Sequence, residues 1–495
     1  MALVEALSRK SAPQGVLTID EIPTTGIVHI GLGNFHRAHF AIYTADAVAK
    51  SGGDWGIFAY SMRSKRIAKD MANQDLLYSV VTISPDISRV QIPGIHSGVA
   101  SGPEEVGKVI EEIAAHHTKI ISLTVTEAGY NISQATGGLD SNSADIQSDL
   151  EGNPPKTAVG LIVRGLQRRS LDHNLPITVL SCDNLSHNGD KTAALVREFV
   201  AALAEPESAP LAQYIANYVS FPNSMVDRIV PGTEAKHLEQ ASSALGLVDL
   251  TPVPAEPFGM WIIEDDFKAG RPAWENAGAT FSDEVDKYEI MKLRLLNGGH
   301  SLIAYLGGLN QSPTIPDSRF TPHIEAALRQ ILFKEFLPSL TMPQGVSAEE
   351  YIGALFSRWS NTVLGDRTSR VGSDGSTKLP QRITEVVISQ HALGEVPKFV
   401  ALTVASWLAC VAPLAGFNPG AVAAEMKDPH KEWLVDLAGR SESAEDFVNK
   451  IFASEKIFAA EVASARPFLN EVARLLQSIM DIGAKSTTEN LITSE

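Results

Sequence analysis

Apolar positions recur along the chain in two rhythms. Over the first 286 residues, short runs rich in aliphatic and β-branched side chains alternate with longer amphipathic stretches. Residues 27–30, 55–60, 120–126 and 177–181 read as buried strands, 77–83 and 90–92 as a hairpin insert, and 158–169 as a helix. Residues before about 25 read as a polar, weakly ordered lead-in, 137–155 as a loop, and 205–210 as a break after a helix. From about residue 287 the spacing turns almost wholly helical, over 288–305, 321–336, 348–359, 379–390, 398–411, 444–452 and 458–479. The last ten residues read as a polar tail. The pattern predicts an α/β domain over residues 1–286 and a mainly α-helical domain over 287–495, with no internal repeat.

The stretch 288–305 carries the densest chemistry. Its helical spacing gives a broad apolar surface from Ile290, Met291, Leu293, Leu295, Leu296, Leu302 and Ile303, interrupted by Glu289, Lys292, Asn297 and His300. At roughly 100° per residue these four polar groups fall within an arc of about 140°. A carboxylate, an amine, an amide and an imidazole then point into one space. Gly298 and Gly299 lie between them, and two glycines cost a helix interior roughly 2 kcal/mol against alanine. Close approach of a ligand to the backbone is one reason to tolerate that cost.

Strand ends carry the other candidates. Gly31-Leu32-Gly33-Asn34-Phe35-His36-Arg37-Ala38-His39 follows the first strand and runs into a helix. In that context Gly31 permits a tight turn, and Gly33 lets backbone approach a pyrophosphate at a helix N-terminus. The third glycine of a dinucleotide fingerprint is replaced by His36. Arg37 reads either as a phosphate contact or as a surface arginine. After the second strand, where an acid would meet an adenosine ribose, stand Arg63, Lys65 and Arg66, a set suited to the extra phosphate of NADP or to a solvated basic loop. Thr126 and Glu127 end the strand at 120–126, and Asn184 lies just past the strand at 177–181. Asp227 and Arg228 either meet substrate hydroxyls or pair with each other. Arg370 and Lys378 flank a Gly- and Ser-rich loop.

Composition narrows the classes. A net charge of −17 disfavours a nucleic-acid partner. Two cysteines, Cys182 and Cys410, build neither a disulfide framework nor a thiolate metal site, and they suit a cytoplasmic setting. The opening residues lack the apolar run of a signal peptide, and no stretch approaches the roughly 20 apolar residues of a membrane span. No Cys/His spacing fits a catalytic zinc, and Glu264, Asp265 and Asp266 read as a solvated loop, so no metal is expected.

Lys-x4-Asn-x2-His within Lys-Leu-Arg-Leu-Leu-Asn-Gly-Gly-His resembles the signature of the polyol-specific long-chain dehydrogenases, the mannitol dehydrogenase family. So do the 31–39 string, Thr126-Glu127-Ala128-Gly129-Tyr130, the phrase around Asn184, and the segments at 221–231 and 261–272, all in the family's order. The resemblance implies a Rossmann-type N-terminal domain, a helical substrate-binding domain, a cleft between them and zinc-independent hydride transfer with NAD or NADP. It implies cofactor contacts at Gly31, Gly33, Asn34, Phe35, Arg37, Arg63, Lys65, Arg66, Thr126 and Glu127. Substrate contacts would come from Asp227, Arg228, Arg370 and Lys378. Lys292 would act as general base, its amine lowered from about 10.4 toward neutrality by burial beside a cationic nicotinamide. Asn184 and Asn297 would donate to the substrate oxygen, His300 would orient the substrate, and Glu289 would relay the proton. Interconversion of D-mannitol and D-fructose is the leading expectation. Fructuronate reduction and D-arabinitol oxidation stand behind it, the former because 374–382 (Asp-Gly-Ser-Thr-Lys-Leu-Pro-Gln-Arg) also resembles that branch. A non-enzymatic dinucleotide-binding protein is the reading from another class. A monomer or small homo-oligomer is expected.

Overall fold

The computed structural model describes residues 5–17, 19–85, 88–133 and 136–494. Residues 1–4 and 18, within the stretch read as a lead-in, and the last residue of the polar tail lie outside the described residues. The chain divides into two compact units, Met1–Asp286 and Lys287–Glu495.

The first unit is built on a six-stranded parallel sheet. Its strands lie in the order His96–Ser101, Gly56–Ser61, Thr25–Ile30, Ile120–Leu123, Ile177–Ser181, Val219–Ser220. Counted along the chain this is 3-2-1-4-5-6, the doubly wound order of a Rossmann-type sheet. The four inner strands are short and almost wholly buried, which is why they read as continuous apolar runs rather than alternations, whereas the edge strand His96–Ser101, half-buried over Ser97–Val99, gives no such signal. Val28 and Ile30 pack with Val109, Ile113 and Ile162 on one side. Ile27 packs with Phe40, Ile57 and Trp261 on the other. The expected hairpin is present as Val80–Ile83 against Ser88–Gln91, with Val253–Ala255 as a third, parallel strand.

The second unit is helical. Its centre is Lys398–Val411, buried at every position from Phe399 to Val411. A helix apolar all round requires cover on all sides. The helices Gly299–Leu309 and Arg466–Thr493 pack against it.

Several local expectations are corrected. The lead-in is docked: Leu7 and Ile19 are buried, and the Leu7 amide donates to the Val248 carbonyl. Residues 137–155 contain the helix Ala144–Leu150. The break at 205–210 is the start of helix Glu205–Tyr218, with Pro206 in its first turn, where a proline lacks nothing the helix needs. The polar tail belongs to Arg466–Thr493, broken at Gly483 (φ 82°), beyond which Thr487, Thr488 and Leu491 are buried. The loop with Arg370 and Lys378 is largely helical, as Thr368–Val371 and the start of Gly375–Ala392.

Candidate active site

In the first unit the candidates gather at the carboxyl ends of the central strands. Gly31 has φ 115°, and a Cβ there would stand 2.0 Å from the Thr124 carbonyl oxygen. Glycine is therefore required where the first strand turns beside the fourth. Gly33 caps the helix Asn34–Ala38, is exposed, and has open space where a side chain would begin. That open backbone edge fits a dinucleotide's pyrophosphate.

Asn34 and Arg37 brace this turn from within. The Asn34 amide donates to the Pro231 carbonyl (3.1 Å), and its oxygen accepts from Arg37 Nη2 (2.7 Å). Arg37 Nη1 donates to the Thr251 carbonyl (2.6 Å). The guanidinium is 1% exposed, and burial lowers its pKa to about 10. This corrects the reading of Arg37 as a phosphate contact or a surface residue. Phe35 is half-buried and stacks on His39. Arg63 is exposed, while Lys65 pairs with Glu104 and Arg66 with Asp70 (3.2 Å).

Beneath the turn lies a histidine stack that sequence reading missed. The rings of His29 and His36 stack at 3.6 Å, and His36 Nε2 faces His96 Nε2 at 3.0 Å. His29 Nδ1 meets Ser122 Oγ, and Nε2 meets Thr124 Oγ1, both at 2.8 Å. Burial lowers His29 and His96 to about 3 and His36 likewise well down, so all three rings are neutral near pH 7. Only their positions inside strands and helix could have signalled this, since a lone histidine is uninformative.

Thr126 takes φ 67°, ψ 162°, a region otherwise reserved for glycine. Asp183 holds it there: its carboxylate accepts the Val125 and Thr126 amides, each at 2.9 Å, and the Tyr130 hydroxyl at 2.9 Å. Burial pushes the Asp183 carboxyl up from its ordinary value, against the three hydrogen bonds. Asp183 was passed over in the sequence, although it directly precedes Asn184. Thr126, Glu127 and Asn184 are exposed at these strand ends. Asp227 is buried at the end of Ser224–Asp227. Arg228 spends its guanidinium on the carbonyls of Glu256 (3.0 and 2.9 Å) and Ala38.

The second unit changes the picture of 288–305. The run is helical throughout but not α-helical throughout. Val285–Met291 is α, Lys292–Gly298 is a π-helix, and Gly299–Leu309 is α again. In an α-helix Lys292 and Asn297 would stand about 140° apart. In a run bonded i→i+5, positions five apart lie one above the other, as positions four apart do in an α-helix. The winding therefore turns positions 292 and 297 toward one face. Lys292 is 8% exposed, and Glu289, Asn297 and His300 are half-buried. His300 meets the Trp359 ring edge-on at 5.6 Å.

The glycine pair serves packing, which corrects the idea of ligand approach. A Cβ on Gly298 would stand 2.6 Å from the Phe336 ring, and one on Gly299 2.8 Å from Trp359. Arg370 pairs with Asp366. Lys378 Nζ donates to the Ser373 carbonyl (2.7 Å) and lies 3.6 Å from Asp374. Burial, with Arg382 nearby, lowers the Lys378 ammonium.

Known proteins resemble the chain over nearly all its length. The family description "Mannitol dehydrogenase Rossmann domain" matches residues 25–276, and "Mannitol dehydrogenase C-terminal domain" matches residues 284–480. A mannitol 2-dehydrogenase of Cereibacter sphaeroides is 38% identical over 454 residues, covering 89% of this chain and 93% of that one. The D-mannonate oxidoreductase of Escherichia coli (strain K12) is 36% identical over 466 residues, covering 93% and 94%. Among solved structures, the Pseudomonas fluorescens mannitol 2-dehydrogenase ternary complex with NAD and D-mannitol superposes with a TM-score of 0.81 at 33% identity, covering 96% of this chain and 95% of that one.

Proposed function

The chain belongs to the mannitol dehydrogenase family and is a dehydrogenase acting on CH–OH groups; from that premise we propose that it interconverts a polyol and a ketose, D-mannitol and D-fructose first, with Lys292 as the acid–base group. The observation that carries this reading is the buried Lys292 opening a π-helical run, whose winding turns position 297 toward the same face. A bound nicotinamide dinucleotide supplies the hydride acceptor for oxidation and the donor for reduction. The glycine turn at 31–33 and the strand ends at Thr126 and Glu127 would hold it. The Lys292 amine takes the hydroxyl proton as the alcohol is oxidised and returns it as the ketone is reduced. Asn184 and Asn297 donate to the oxygen on which charge builds, each worth about 3 kcal/mol. His300 orients the substrate, and Glu289 passes the proton toward solvent. Asp227, Arg370 and Lys378 contact the rest of the sugar chain.

Reduction of a sugar acid is the second reading. The D-mannonate oxidoreductase relative favours it, as do the two cations Arg370 and Lys378, close enough for Arg370 to help lower the Lys378 ammonium. Cations so grouped suit a carboxylate. Arg63, Lys65 and Arg66 at the second strand's end favour the extra phosphate of NADP(H), while the NAD-bound relative favours NAD(H). The surface pairs with Glu104 and Asp70 are weak enough for a phosphate to displace.

A panel of D-fructose, D-fructuronate and other ketoses, each with NADH and NADPH, tests the reading. Highest kcat/KM with D-fructose supports it. Faster turnover of D-fructuronate moves the assignment to the second reading. Inactivity across the panel leaves a dinucleotide-binding protein without catalysis. In the same assay Lys65→Glu with Arg66→Glu lowers kcat/KM for NADPH relative to NADH; an unchanged ratio removes these cations from cofactor choice.

A further inference from the structure

The Asn297 end of the π-helical run is held by a side chain from another helix. Arg382, on the helix Gly375–Ala392, donates from Nη1 to the Asn297 carbonyl oxygen (2.9 Å) and to Ser301 Oγ (2.7 Å). Ser301 Oγ lies 3.4 Å from the same carbonyl, so guanidinium, hydroxyl and carbonyl form a closed triangle. Asn297 is the next-to-last residue of the π-helix, where the bonding pattern returns from i→i+5 to i→i+4. At that junction the Gly299 amide is shared between the Leu295 and Leu296 carbonyls, and Arg382 adds a donor from another helix one residue further along.

The grip is costly. Burial lowers the Arg382 guanidinium to about 10, opposed only by Tyr305. Its described hydrogen-bond partners are a carbonyl and a hydroxyl, with no carboxylate among them. A half-buried charge without an acidic partner is partly desolvated and gains no ion pair in return. A methionine or leucine would fill the space but could not donate to Asn297. The donation is what distinguishes the arginine.

We propose that Arg382 is a positioning residue: by holding the Asn297 backbone it fixes the end of the π-helical run, and so keeps the Asn297 amide on the face of Lys292 for the proton-transfer step. This rests on the reading of Lys292 and Asn297 given under Proposed function. Arg382 also sits four residues after Lys378 on one helix, so the element that carries a substrate-facing cation also sets the catalytic register.

The test uses the full chain with its best ketose from the panel. Arg382→Ala is expected to lower kcat about 100-fold, the size of a misplacement near 1 Å, while KM and the dinucleotide Kd stay close to wild type. The isotope effect on kcat with deuterated nicotinamide cofactor rises, because the chemical step becomes limiting. Guanidinium added in solution restores part of the rate, and Arg382→Lys is intermediate. A kcat for Arg382→Ala within threefold of wild type, or a loss confined to KM, overturns the proposal. If Arg382→Ala does not fold, Ser301→Ala decides, because it opens the triangle and leaves the guanidinium in place: a lowered kcat with a larger isotope effect supports the role, and an unchanged kcat overturns it. A wild type without turnover on any polyol or ketose sinks the functional reading, and this proposal with it. An active wild type with a fully active Arg382→Ala removes Arg382 alone.

Discussion

Thr126 in the first unit and the run Lys292–Gly298 in the second are both held away from regular backbone geometry, and the two are secured in opposite ways. In the first, a single β-branched residue, Thr126, sits at φ 67°, and a carboxylate receives the neighbouring amides. In the second, seven residues share an i→i+5 winding, and a guanidinium donates to a carbonyl near its end. Strain at one residue has nowhere to spread, so Asp183 carries it alone. The π-helix is hydrogen-bonded along its own length, so Arg382 only sets where it ends. The first anchor therefore holds stability and the second holds register.

Lys292→Ala is the largest expected effect and asks whether the second region is chemical at all. Turnover falls roughly 10²–10⁴-fold, with little change in dinucleotide affinity measured by fluorescence titration. Near-wild-type turnover would leave the π-helix without a catalytic purpose. Asp183→Ala comes next and probes the first region. It leaves two backbone amides without their acceptor and a strained threonine unanchored, which costs roughly 2–4 kcal/mol in denaturant melts and weakens dinucleotide binding. Thr126→Gly in the same background returns part of that stability, because glycine holds φ 67° unaided. Absence of coupling between the two substitutions would dissolve the contrast drawn here.

The smallest effect concerns acid. His29 and His96 titrate near 3 when folded against 6.5 when unfolded. Between those values the unfolded chain binds more protons. Their contribution is therefore complete above pH 6.5 and is lost as pH falls toward 3. At pH 5 each histidine costs the fold roughly 2 kcal/mol relative to neutral pH. Thermal melts from pH 7 to 5 should show this fall, with a shallower slope for His96→Gln; a slope equal to wild type would mean the stack does not titrate on unfolding.

Much of the scaffold was legible. The strand at 177–181 and the helices at 348–359 and 398–411 coincide with the structure, because each is a run whose apolar spacing admits one geometry. The π winding was not legible. Leu293, Leu295 and Leu296 fit an apolar face under either helical period, and no residue type marks the change. The anchors were hidden by distance along the chain: 57 residues separate Thr126 from Asp183, and 85 separate Asn297 from Arg382. Arg37 was misread because an arginine beside a glycine turn is equally suited to a phosphate and to a neighbouring carbonyl. Only the observed bond to Thr251 separates the two.

Gly298 against Phe336 and Gly299 against Trp359 bear on how this part of the chain can change. A methyl group at either glycine has no room unless the opposing ring shrinks in the same lineage. Substitutions at these four positions should therefore arrive as matched exchanges, and a helix-stabilising swap to alanine, sound advice on an exposed surface, would be a mistake here.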